Sequence, residues 1–179
     1  MKKLSFLVII FSILFFACNS NDQRVNEAEN LINDLDSVKE EMQAVDSSEI
    51  ALKSQSYMAN IEAIQSVFND TNHTDEEWKL LTQYSTIKKP LRDYSKKYSI
   101  FMKELNYSIT QIESLIYEYE EGSIDSVKYD SYYHTEMEVA NNLMLQVQVE
   151  LTKTKESSNK YDSLNPQIEK YIEEKKLNE

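Results

Sequence analysis

His134 has Asp130 four residues before it and Glu138 four residues after it. On one helix this spacing sets an imidazole between two carboxylates on a single face, a set able to hold a divalent cation. Only one of the three is a histidine, no second helix supplies further ligands, and the same residues make up ordinary solvated faces, so no metal is expected. Asp70 precedes His73 by three, faintly like the acid-x-x-His pairs of two-metal helical bundles. Ser131 stands at the equivalent place before His134, and the first pair falls in a loop, so that site is rejected. Two histidines without a glycine-rich oxyanion turn make no Ser-His-Asp set, and a single glycine excludes the usual phosphate-cradling loops. The adjacent acids Glu40-Glu41, Glu76-Glu77 and Glu120-Glu121 suggest exposed faces more than a cleft. The expectation is a protein that is not an enzyme, with no catalytic residue and no cofactor.

Two features carry physical chemistry of another kind. Lys88, Lys89, Arg92, Lys96 and Lys97 lie within ten residues, against Asp93 alone. Lys88, Arg92 and Lys96 share a helix face. They form a candidate docking face for an anionic envelope component or an acidic partner; the plainer reading is an exposed face or a set of intramolecular ion-pair partners. Cys18 is the only cysteine, and it directly follows a run without charge, Leu4 to Phe16.

That run is too short to span a bilayer, which needs about 20 helical residues. Met1-Lys2-Lys3, the apolar middle and a small residue before the cut have the order of a secretory signal. Phe15-Phe16-Ala17-Cys18 resembles a bacterial lipobox, with Phe15 where Leu is usual and Leu14 one step back. The resemblance implies cleavage before Cys18 and acylation of that residue, palmitate included, with the chain held at the membrane by its lipid. At about 0.8 kcal/mol per buried methylene, two chains anchor stably. Asn19, in place of an Asp that would favour the inner membrane, leans toward the outer membrane, and the absence of an acidic cluster after Cys18 leans toward its periplasmic face. The resulting organisation is a signal over 1–17, an acylated cysteine and tether over 18–23, and a helical domain over 24–179.

Nineteen basic against 31 acidic residues give a net charge of −12, and losing Lys2 and Lys3 with the leader makes the remainder more negative. Such a charge excludes a nucleic-acid partner, which requires a basic surface. With Cys18 acylated, no thiol remains for a disulfide or a nucleophile. One glycine and two prolines leave few turn residues, which points to a few long helices and an all-α fold.

Apolar residues spaced alternately by three and four mark the core-facing seams. Ala28, Leu31, Leu35, Val38, Met42 and Val45 make one; Ile50, Tyr57, Ile61, Ile64 and Phe68 make a second, out of phase with the first. Helices are expected over about 23–46 and 48–69, with Asp46 and Glu49 at capping-box spacing between them; one long helix with a skip is the alternative. Thr74 and Glu77 form another box and start a helix near 75. Its seam runs from Tyr84 through Ile87, Leu91, Tyr94, Leu105 and Ile112 to Tyr119, with a kink or break near 86–89 imposed by Pro90. Gly122 suits a left-handed helix end. A last long helix runs from about 125 to 162, and Asn165-Pro166 has the form of a start for a short final helix. The expected architecture is an elongated antiparallel helical bundle with coiled-coil character, whose frequent tyrosines serve as core and rim packing.

Asp125-Ser126-Val127 matches the Asp-Ser/Thr-apolar pattern of O-glycosylation in Bacteroidota, with Ser126 the best placed of three such sites. The chain as a whole resembles small helical lipoproteins of that phylum, whose function is undefined, through Lys88-Lys89-Pro90-Leu91, the acidic turn at Gly122 and Leu164-Asn165-Pro166. This implies a lipid-anchored, non-enzymatic interaction or spacer module that binds a protein partner or itself. The alternative is a receptor for a small molecule or peptide, in a Tyr-lined groove between helices.

Overall fold

The computed structural model describes residues 2–68 and 73–177, and side chains from Gln23 onward. The signal 1–17 and the Cys18 acylation site therefore lie outside the described side chains, and Asp70 lies outside the described residues. The fold is all-α and packs as a helical bundle. Among the described residues five helices follow one another: α1 Lys2–Gln43, α2 Ser47–Val67, α3 Asp75–Ser85, α4 Lys88–Glu120 and α5 Ser126–Lys176. The chain divides into two compact units, Met1–Lys39 with Glu104–Met144, and Glu40–Lys103 with Leu145–Glu179.

In the first unit, the start of α5 turns back antiparallel to the end of α4. Gly122, at φ 72°, supplies the left-handed residue that this reversal requires. Its N–H bonds to the Tyr119 carbonyl at 3.0 Å, and that of Ser123 to the Glu118 carbonyl at 2.8 Å. These two bonds satisfy carbonyls that the helix end would otherwise leave unpaired. Asp125 then caps α5 by accepting from the Lys128 N–H at 2.9 Å. Leu115, Tyr119 and Tyr129 form the buried centre here, with Val25, Ile124 and Tyr133 packed on it. Arg24 grips both Asp130 oxygens, at 2.6 and 3.1 Å. The Tyr129 and Tyr133 hydroxyls donate to the carbonyls of Arg24 and Glu27, so α1 runs in the same sense as α5 in this unit.

In the second unit, Asp46 caps α2 by accepting from the Ser48 and Glu49 N–H groups. The reciprocal half of the expected capping box is absent, because the Glu49 carboxylate is drawn to Lys53 at 2.8 Å. Lys53 also donates to Ser158 and Asp162, at 2.8 and 2.7 Å, so its three N–H donors all have acceptors. Asn60 meets Asn165 further along, and α2 too runs parallel to α5 in its unit. Each unit, taken by itself, pairs its first helix in parallel with α5. In this unit α3 runs antiparallel to α5, through Glu77–Lys175 and Tyr84–Asn165, and Lys97 of α4 pairs with Glu150 of α5.

The break near Pro90 falls at Thr86-Ile87, and Pro90 sits in the first turn of α4, where its missing N–H costs little. Tyr84, Ile87, Leu91 and Tyr94 stay buried in one phase across it. A separate final helix after Asn165 does not form; α5 runs unbroken through Pro166 to Lys176. Asn165 does not cap. Its side chain is spent on Asn60, Tyr84 and Glu169. Burial of Ile168, Tyr171 and Ile172 in phase with Tyr161 outweighs the one backbone bond that Pro166 removes.

Candidate functional site

The most site-like feature lies within the second unit, between α2 and α3. Thr74 and Glu77 form a complete capping box, the Glu77 N–H bonding to the Thr74 hydroxyl and the Thr74 N–H to the Glu77 carboxylate. This fixes the first turn of α3 and aims Trp78 across at the end of α2. A cleft of about 490 Å³ opens there, lined by aliphatic Ile61, Ile64 and Leu81, by aromatic Phe68, Trp78 and Tyr84, and by Gln65, Thr82 and Ser85 at its polar edge. Among the described residues, no charged side chain lines it. Its volume is that of a small-molecule or side-chain pocket. Trp78 remains 48% exposed, so a large apolar ring borders open space.

Beneath the rim, the rings interlock. Phe68 stacks on His73 at 4.4 Å, and Trp78 stands edge-on to both, at 5.7 and 5.4 Å. The His73 side chain is only 2% exposed; its Nδ1 lies 3.6 Å from Glu77 and 3.4 Å from the Tyr171 hydroxyl, and among the described residues its Nε2 has no partner. Glu77 also pairs with Lys175 at 2.8 Å, and this bond first of all holds its carboxyl below the usual range. The arrangement fixes the ring cluster; among the described residues, no acid–base pair lines the cleft.

The floor is set by Tyr84, which is fully buried, its hydroxyl donating to Asn165 Oδ1 at 2.9 Å. Asn60 donates to the same oxygen at 2.8 Å. Burial pushes the Tyr84 phenol up to about 12. This network ties α2, α3 and α5 together directly behind the apolar wall.

The basic cluster is divided by the structure. Lys97 is half-buried and pairs with the buried carboxylate of Glu150 at 2.6 Å, while Arg92 bonds to its neighbour Asp93 at 2.8 Å. Lys88, Lys89 and Lys96 are exposed, and among the described residues they have no ion-pair partner. Arg92 is exposed as well, so of the five only Lys97 is drawn inward. Ser126 opens α5 beside its cap Asp125 and is half-buried, next to Val127 at the surface. Ser37 and Ser163, of the two other glycosylation-like triplets, lie inside helices. His134 and Glu138 are exposed, and Asp130 is taken by Arg24, so the three do not converge. Among the described residues, no group of three His, Cys, Asp or Glu side chains is placed to hold a metal ion. Among the same residues, no helix is long and apolar enough to cross a membrane.

The cleft itself is not Tyr-lined. Tyr57, Tyr84, Tyr94, Tyr129, Tyr161 and Tyr171 are buried as packing, and Tyr84 alone reaches the cleft. Sequence reasoning passed over Trp78. The signal for it was available: the only tryptophan stands just after a capping box, off the Tyr84–Ile87–Leu91 seam, with Leu81 three residues on.

No family model, curated protein or solved structure matches the chain.

Proposed function

We propose that this chain is a lipid-anchored helical interaction module of the cell envelope, acting without catalysis and gripping apolar groups of a partner in the α2–α3 cleft. The observation that carries the reading is Trp78, half exposed on the wall of an uncharged apolar cleft whose floor is braced by a buried hydrogen-bond network. Aromatic rings left at the rim of a preformed pocket are the usual anchors of recognition. The lipid on Cys18 and the outer-membrane location belong to this proposal. The order of basic start, apolar run and single cysteine supports the lipid, and Asn19 in place of Asp supports the outer membrane.

The same cleft favours a second reading, a receptor for a neutral, apolar small molecule. Its volume and lack of charge suit such a ligand as well as they suit a partner's side chains. Trp78 is the only tryptophan, so its emission reports on the cleft alone. Titration with Nile red, a neutral apolar dye, should quench Trp78 saturably, and Leu81→Lys should abolish the quenching while the helical signal stays. Equal quenching in both chains would refute a binding cleft.

A further inference from the structure

Outside the cleft, α4 carries a second seam. Lys103, Tyr107, Thr110, Ser114 and Tyr117 recur at steps of four and three, and Glu121, just past the end of α4 and bonded by its N–H to the Tyr117 carbonyl at 3.0 Å, continues them; all are exposed, on the side opposite the buried Leu105, Ile112 and Leu115. Tyr107 and Tyr117 are each 65% exposed, among the most exposed large rings of the chain. The small residues between them carry satisfied hydroxyls: Thr110 donates to the Asn106 carbonyl at 3.0 Å, and Ser114 to that of Thr110 at 2.8 Å. Covering the centre of this strip would therefore strand neither the Thr110 nor the Ser114 donor.

The strip reads nearly the same in both directions, large–small–small–large, with a base at one end and an acid at the other. Two copies laid antiparallel about a two-fold axis midway between Thr110 and Ser114 would bring each Tyr107 to a Tyr117, each Thr110 to a Ser114 and each Lys103 to a Glu121. Self-complementarity of this kind is what a two-fold interface demands. A parallel pairing would instead set Lys103 against Lys103 and Glu121 against Glu121. Among the described residues, neither Lys103 nor Glu121 has an ion-pair partner within its own chain. We infer that the outer face of α4 pairs antiparallel with the same face of a second copy of this chain.

The small residues at the centre let the helix axes approach to about 8–10 Å, and the tyrosines close over each end. A face of this size pairs weakly in free solution. Anchorage in a shared membrane raises the effective concentration, and for that strength the inference rests on the proposed lipid anchor. The cleft plays no part in it.

Two differently tagged full-length copies, one Thr110→Cys and one Ser114→Cys, would be co-expressed and mildly oxidised in their own membranes. A hetero-disulfide joining the two tags is the expected product, with none from a Leu52→Cys and Val127→Cys pair, exposed residues of other helices. In this background Lys103→Glu in both copies should slow the disulfide roughly tenfold, and adding Glu121→Lys should restore it. No hetero-disulfide, an equal yield from the control pair, or no response to the charge reversal would overturn the pairing. A hetero-disulfide formed by chains whose Cys18 thiol proves free would leave the pairing standing and remove the anchor alone.

Discussion

Replacing Asn165 with Ala removes the one acceptor of the Tyr84 hydroxyl. That hydroxyl sits in a fully buried side chain and keeps only the bond it accepts from Asn60 Nδ2 at 3.3 Å, so its proton is left without an acceptor, at a cost of about 1–3 kcal/mol. Asn60 is only half-buried and Glu169 is exposed, so both can turn to solvent. Ala at an interior helix position returns about 0.5 kcal/mol of propensity. The net loss is about 0.5–2.5 kcal/mol, or a Tm lower by roughly 1–10 °C for a chain of this size. Tyr84→Phe removes donor and hydroxyl together and leaves Asn165 Oδ1 with Asn60, so its cost is only about 0.5–1 kcal/mol. The deciding comparison is the double variant. In the Tyr84→Phe background there is no hydroxyl to orphan, and Asn165→Ala should cost less than half of what it costs alone. Thermal and urea unfolding, followed by far-ultraviolet circular dichroism and by Trp78 emission, measure all four chains. An equal cost of Asn165→Ala in both backgrounds would refute the claim that this bond braces the cleft floor.

Burial holds the Tyr84, Tyr94 and Tyr129 phenols up at about 12, above the ordinary value near 10. Their neutral forms belong to the folded state, so the stability they carry is intact below pH 10 and is lost as pH rises toward 12. Phenolate absorbance should thus leave these three of the twelve tyrosines untitrated at pH 11 until the chain unfolds; a single transition of all twelve near pH 10 would contradict their burial. Lys97→Met strands the buried Glu150 carboxylate and should lower Tm by several degrees, whereas Lys88→Met and Lys96→Met should leave it within about 1 °C; equal effects would show that Lys97 has no special partner. Gly122→Ala meets no atom within 4 Å and should cost only the left-handed backbone term, about 1–2 kcal/mol by urea unfolding, with the fold retained.

Much of the fold was legible because the seams are nearly unmixed. The α1 positions Ala28, Leu31, Leu35, Val38 and Met42, and the run from Tyr84 to Tyr119, bury as their spacing requires. Gly122 was readable for a related reason: a lone glycine among helix formers has one obvious use. The end of α5 was not legible, since Asn165-Pro166 has the form of a helix start and only the tertiary partners Asn60 and Tyr84 show that Asn165 is engaged elsewhere. The same holds for Glu49, whose capping role yields to Lys53. The fate of the basic cluster turned on Glu150, fifty-three residues beyond Lys97, and no local pattern encodes that partner. The cleft escaped because its walls come from two helices whose register only packing sets, and because Ile61 and Ile64 serve both seam and wall.

Anchorage through one acylated cysteine underlies the whole functional account, and the N-terminal tryptic peptide of the membrane-extracted chain reports on it directly. Arg24 is the first basic residue after Lys3, so cleavage before Cys18 yields the peptide Cys18–Arg24. Mass spectrometry should find that peptide carrying fatty acyl chains. Recovery of Leu4–Arg24 with its apolar leader intact, or of Cys18–Arg24 with a free thiol, would contradict the account.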